Sequence, residues 1–152
     1  MSKILISGYY GFANAGDEAM LTAIIESLRQ VEKNVELTVL SGNPEDTAAK
    51  HQVCSVYRFN PLGIIRAMKD SELIISGGGS LLQDVTSKRS LLYYLSIIGL
   101  GKFFGKKVML FAQGIGPIRA KWARKLTSLV CNEADLITVR DSESAAELIE
   151  MG

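Results

Sequence analysis

Lys3 to Met20 reads KILISGYYGFANAGDEAM, and the parsing of this stretch decides the fold. A short apolar run, Ile4 to Ile6, leads into an aromatic loop carrying Gly8, Gly11 and Gly16. Ala19, Met20, Leu21, Ile24, Ile25 and Leu28 then recur at helical spacing. Strand, glycine-rich turn and helix start is the opening of a βαβ unit. Backbone N–H groups at such a helix start are unpaired and partly positive, which suits an anionic or hydroxyl-rich ligand. The same glycines would also serve a tight turn with no ligand. Gly11 and Gly16 have the spacing of a phosphate-binding P-loop, but Asp17 and Glu18 stand where that motif needs Lys and Ser/Thr. The dinucleotide pattern G-x-G-x-x-G is absent, and Ser41-Gly42 follows the second strand where a ribose-binding acid belongs. Asp17 reads as an N-cap or first-turn acid that complements the helix dipole, with a second role toward substrate hydroxyls left open.

Outward from this stretch the chain alternates. Glu18–Gln30 is predicted as a helix and Val35–Leu40 as a strand. A turn over Ser41–Asp46 and a short helix over Asp46–Lys50 lead to a short strand, Gln52–Val56, at the sheet edge. Asn60-Pro61 opens a helix whose apolar face is Leu62, Ile64, Ile65, Ala67 and Met68. Ser71–Ile75 is a fourth strand, ending in Ser76-Gly77-Gly78-Gly79-Ser80. Lys107–Ala112 is a fifth, followed by a helix over Ile118–Asn132 with a basic face. Leu136–Val139 is a sixth, and Ser142–Met151 a last helix stopped by Gly152. Such alternation predicts an α/β fold, a doubly wound, mostly parallel Rossmann-like sheet of about six strands in a single domain over residues 1–152. Ligands in such sheets lie beyond the C-terminal strand ends. Four loops fall on that edge: Gly8–Asp17, Gly77–Asp84, Gln113–Pro117 and Arg140–Ser144.

The 152 residues suffice for one real core, 47% of them are hydrophobic, and the net charge of +1 gives no reason to expect nucleic acid. Cys54 and Cys131 are far apart in apolar company and read as reduced core thiols of a cytoplasmic protein. His51 is the sole histidine and reads as a solvated loop residue, so no metal site is expected. Ser90–Phe104 is the most apolar segment, but it is shorter than the ~20 residues of a membrane span. It reads as a core helix, with contact to a membrane or a lipid-linked substrate as the other reading, supported by Lys88, Arg89, Lys102, Lys106 and Lys107. Arg140, at a strand end, is placed either to grip a carboxylate or phosphate bidentately or to pair with Asp141 or Glu143.

GYYGFANAGDEA (8–19), SGGGSLLQD (76–84), AQGIGP (112–117) and TVRDSES (138–144) resemble, in order, the loops of the polysaccharide pyruvyl transferase family. The resemblance is greatest to the bacterial cell-wall members, whose pyruvylated polymer anchors surface-layer proteins. It implies the N-terminal half of a two-domain fold like the GT-B glycosyltransferases, with the second domain absent from this chain. It also implies transfer of a pyruvyl group, as a ketal, from phosphoenolpyruvate as co-substrate to an amino-sugar residue of a lipid-linked or polymeric acceptor. No other cofactor is expected, and the work would be done in the cytoplasm or at the inner face of the membrane. The general acid is expected in the second domain, so this half alone would be inactive. The chain's own site residues are then Asp17, Asp84 and Arg140 for catalysis. Gly11, Asn14, Gly16, Gly78, Gly79, Ser80, Gln83, Gln113, Gly114 and Gly116 would bind substrate. A face left for the second domain could also pair two copies into a homodimer. A non-catalytic Rossmann-like module for a sugar or nucleotide, or half of a GT-B glycosyltransferase, stands as the alternative.

Overall fold

The computed structural model describes residues 2–77, 79–85 and 87–152, with Ser80 described by its backbone alone. Among these described residues seven strands form one sheet: β1 Lys3–Ser7, β2 Glu36–Ser41, β3 Cys54–Tyr57, β4 Leu73–Ser76, β5 Gly79–Leu82, β6 Lys107–Ile115 and β7 Leu136–Val139. Six helices connect and follow them: α1 Ala15–Val31, α2 Pro44–His51, α3 Pro61–Asp70, α4 Lys88–Phe103, α5 Lys121–Cys131 and α6 Ser142–Met151. The pairings are parallel, in the order β3-β2-β1-β4-β6 with β7 on the far side of β6. The chain steps outward from β1 to β3 and then returns to lay β4 beside β1. The C-terminal ends of β1 and β4 therefore flank the switch point where doubly wound sheets form their ligand crevice.

Alternation along each strand feeds two cores, as the two-residue strand period requires. Ile4, Ile6, Leu37, Val39 and Ile75 pack on one face with Leu21, Ile24 and Ile25 of α1. Leu5, Leu40 and Ile74 point the other way, toward Ile64 and Met68 of α3 and Leu91, Leu95 and Ile98 of α4. The apolar segment Ser90–Phe104 is thus a helix with a buried face, and Leu91, Leu95 and Ile98 are fully or nearly enclosed. Asn14, Asn43, Asn60 and Asp141 each cap the following helix through their side chain, and Ser87 does the same for α4.

Several expectations are corrected. The segment predicted as a loop after the fourth strand contains β5, so the sheet has seven strands. The reason is register: Ser76 pairs with Leu110 and Gly79 with Gln113, the same offset along β6. β5 is the line of β4 resumed after a break. His51 is the last residue of α2, and its side chain is only 8% exposed because it folds back against Glu18 of α1. Cys54 is exposed, since β3 is the edge strand, whereas Cys131 is buried; neither forms a disulfide. The helix expected from Ile118 begins at Lys121, with Ala120 extended as its N-cap; the Gly116–Pro117 bond before it is cis.

Candidate functional site at the sheet switch point

The switch-point crevice is filled by Tyr10, which is completely buried. Its ring lies where a Cβ on Gly8 or Gly77 would be, so both positions must be glycine. Gly77 N–H donates to Ser7 O at 2.6 Å, tying the ends of β1 and β4 together. The Tyr10 hydroxyl finds no partner among the described residues, nor do Ser7 Oγ and Gln113 Oε1. Burial, and then the nearby negative charge of Asp17, push the Tyr10 hydroxyl pKa well above the ordinary value.

Asp17 stands in the first turn of α1, as expected, while Asn14 is the N-cap, its Oδ1 accepting from Asp17 N at 3.1 Å. Burial, and secondarily Glu18, hold the Asp17 carboxyl pKa above its usual value. Its Oδ1 lies 3.1 Å from where a Gly79 Cβ would sit, and Gly79 has φ +109°. Two predicted loops, one after β1 and one after β4, therefore meet at Asp17 and Gly79. A carboxylate that holds its proton more tightly than normal is a better base near neutrality.

The remaining predicted residues divide by what they touch. Gln113 is fully buried, and its Nε2 donates to Ser76 O at 2.9 Å, to Ser76 Oγ at 3.2 Å and to Gly77 O. Its amide donors are thus used to close the break between β4 and β5 rather than to face solvent. The Asp84 carboxylate accepts from Arg119 N at 2.9 and 3.0 Å and from Ala120 N at 3.0 Å. These bonds lower its pKa and fix the two residues that lead into α5, whose N-cap, Ala120, makes no side-chain cap. Both roles make it a weaker base than Asp17. Arg140 lies across the face of Gly114, where a Cβ would be 2.7 Å from its Cζ, and its Nε is 3.3 Å from Asp141 Oδ2. The anticipated pairing with Asp141 is present, on a guanidinium half in solvent.

Gly11 (φ +86°) packs on Gly42 and Asn43, and its N–H reaches Glu18 Oε2 at 3.4 Å. Gly116 (φ +79°) packs on Glu147. Gly16, inside α1, meets only an ordinary contact with Asn14. Gln83 is half-buried just past β5. Gly78 and the side chain of Ser80 lie outside the described residues.

One residue escaped the sequence reading. Arg58, at the end of β3, is only 5% exposed and lies within 6 Å of the ring centroids of Tyr9, Phe12, Phe59, Tyr93 and Tyr94. Tyr9 and Phe12, from the glycine loop, stack on each other at 4.3 Å. Such cation–π contacts contribute about 0.5–2 kcal/mol each. Among the described residues no carboxylate pairs with Arg58; its Nη2 donates to Tyr94 Oη at 3.4 Å, and the guanidinium also hydrogen-bonds the Tyr93 hydroxyl. The local signal was Tyr57-Arg58-Phe59, a cation between aromatics at a strand end on the ligand edge.

A family model, polysaccharide pyruvyl transferase, matches residues 14–152. The chain belongs to that family. The match spans the α1 start, β5, the Gln113–Pro117 turn and Arg140, the elements that surround the crevice. No curated protein matches the chain. Among the described residues no group of three or more His, Cys, Asp or Glu could hold a metal, and no helix is long and apolar enough to cross a membrane.

Proposed function

We propose that this chain is the acceptor-binding half of an enzyme that moves a pyruvyl group from phosphoenolpyruvate onto a sugar residue of a cell-surface polysaccharide precursor. The family match supports a transferase, and the meeting of Asp17 with Gly79 at the switch point is the observation that carries the assignment of this half. The reaction adds two acceptor hydroxyls to C2 of phosphoenolpyruvate, delivers a proton to C3 and releases inorganic phosphate. Asp17 takes the proton of an attacking hydroxyl, a role suited to its raised pKa. Gly79 admits the sugar closely because no side chain stands there. Arg140 holds the donor's carboxylate or phosphate with its remaining guanidinium donors. A second domain supplies the general acid that protonates C3.

The acceptor is an amino sugar on a lipid or polymer, and the reaction runs in the cytoplasm at the inner face of the membrane. Exposed Lys88, Arg89, Arg119, Lys121 and Lys125, with Trp122 beside Lys88, rim the same edge and favour anionic headgroups. The test is acceptor-dependent phosphate release from phosphoenolpyruvate by this chain joined to its second domain. Release that needs both the domain and Asp17 agrees with the proposal; ligand binding with no release refutes it in favour of a sugar-binding module.

A further inference from the structure

We propose that Arg58 is the receptor for an oxyanion, a phosphate or carboxylate, carried on an apolar or aromatic body. Arg58 Nε is buried and lacks a partner among the described residues, and the Tyr93 hydroxyl is a hydrogen-bonding neighbour of the guanidinium. The guanidinium carbon lies 4.5 Å from the Tyr93 ring centroid. The cage offers π faces and the hydroxyls of Tyr93 and Tyr94, but among the described residues no carboxylate within ion-pair distance. A buried charge is ordinarily paired as well as hydrogen-bonded. Only a group that is both acceptor-rich and negative completes this site; a neutral sugar hydroxyl would satisfy a donor and leave the charge unbalanced.

Position and shape extend the assignment. Arg58 follows β3, on the edge where the ligand loops gather, and Phe12 of the glycine loop is one wall of its cage. Three of the walls, Tyr9, Phe12 and Phe59, are 40%, 41% and 60% exposed, so they can turn aside without disturbing the core. Arg58 also borders an apolar cavity of about 260 Å³ between α3 and α4, lined further by Phe59, Ile64, Tyr93, Ile97 and Leu100. An anion on Arg58 would leave the rest of its molecule in that cavity. This inference is independent of the transferase reading, because an anionic ligand at Arg58 requires no particular reaction.

The experiment follows the arginine Nε–H resonances by nuclear magnetic resonance. The Arg58 signal is identified by its loss in Arg58→Lys. Phenyl phosphate, benzoate and neutral benzyl alcohol are titrated in turn. Saturable movement of the Arg58 signal by an anion, with none from benzyl alcohol, is expected, and the tighter of the two anions identifies phosphate or carboxylate. Tyr93→Phe, which removes the hydroxyl beside the guanidinium, should weaken that anion by about fivefold, the worth of one hydrogen bond. An Arg58 signal that neither anion moves, or that benzyl alcohol moves equally, overturns the proposal and leaves a cation held by aromatic faces alone.

Discussion

Gln113 offers the sharpest separation between a ligand reader and a structural residue. Its amide group is fully buried, and its donors go to Ser76 O and Gly77 O across the break between β4 and β5. Gln113→Leu removes those donors and puts an apolar group of similar size against two backbone carbonyls. A buried acceptor left unsatisfied costs about 1–3 kcal/mol. Over the two carbonyls the loss should be about 2–4 kcal/mol. In a domain of this size each kcal/mol lowers Tm by roughly 2–4 °C, so a fall on the order of 10 °C is expected. Urea unfolding followed by circular dichroism measures it directly. Gln113→Glu adds a test of sign. Burial among oxygens raises the introduced carboxyl's pKa in the folded state, so the folded protein binds the proton more tightly. Stability of that variant should then be greatest at low pH. It should fall as pH rises above the unfolded carboxyl value of about 4.3, by about 1.4 kcal/mol per unit at most. Gln113→Leu unfolding within about 0.5 kcal/mol of wild type, the range of an ordinary surface substitution, would mean that the amide does not hold the β4–β5 break.

Tyr10→Phe deletes a buried hydroxyl with no partner, so it should leave stability unchanged or raise it by up to about 1 kcal/mol. Gly77→Ala should cost about 1–3 kcal/mol through overlap with that hydroxyl, and the double variant should recover part of the loss; additive costs in urea unfolding would contradict the packing. Asp84→Ala should destabilise by about 1 kcal/mol through loss of charge-assisted bonds to the backbone leading into α5, less at high salt. Because the folded-state Asp84 pKa is lowered, its contribution is present above the unfolded value near 3.9 and lost as pH falls through the folded value. The variant and wild type should therefore converge in acid, and a gap that persists there would count against those bonds. The basic rim around Trp122 should sediment with anionic vesicles and release with salt, while Lys121→Glu with Trp122→Ala should stay in solution. Equal binding to neutral vesicles would rule out the electrostatic docking.

The parallel frame was legible because each strand is a short apolar run, each followed by turn residues and a helical period. Ile4–Ile6, Val35–Leu40 and Leu136–Val139 all fall within or beside observed strands. The face that carries the loops followed from the same alternation, since parallel strands share one C-terminal edge. β5 was not legible, because Gly77 to Gly79 read as loop by composition. What restores the strand is Gln113, some 30 residues downstream, whose amide bridges the break. Asn14 rather than Asp17 as the α1 cap is a one-turn choice between two residues with equal capping chemistry. His51 read as a solvated loop residue ahead of the third strand, but it closes α2 and its burial comes from Glu18 of α1. Arg58 was missed for a similar reason. Its aromatic partners come from three separate segments, Tyr9–Phe12, Phe59 and Tyr93–Tyr94, and only the fold gathers them.

The proposed role of Asp17 toward the acceptor hydroxyls is decided by phosphate release from phosphoenolpyruvate, assayed with the chain joined to the proposed second domain, with and without an amino-sugar acceptor, for wild type and Asp17→Asn. Release should require acceptor, rise with pH through the raised Asp17 pKa, and drop by about 10²–10⁴-fold in the variant. Wild-type release rates in Asp17→Asn, or release that ignores the acceptor, would contradict that role.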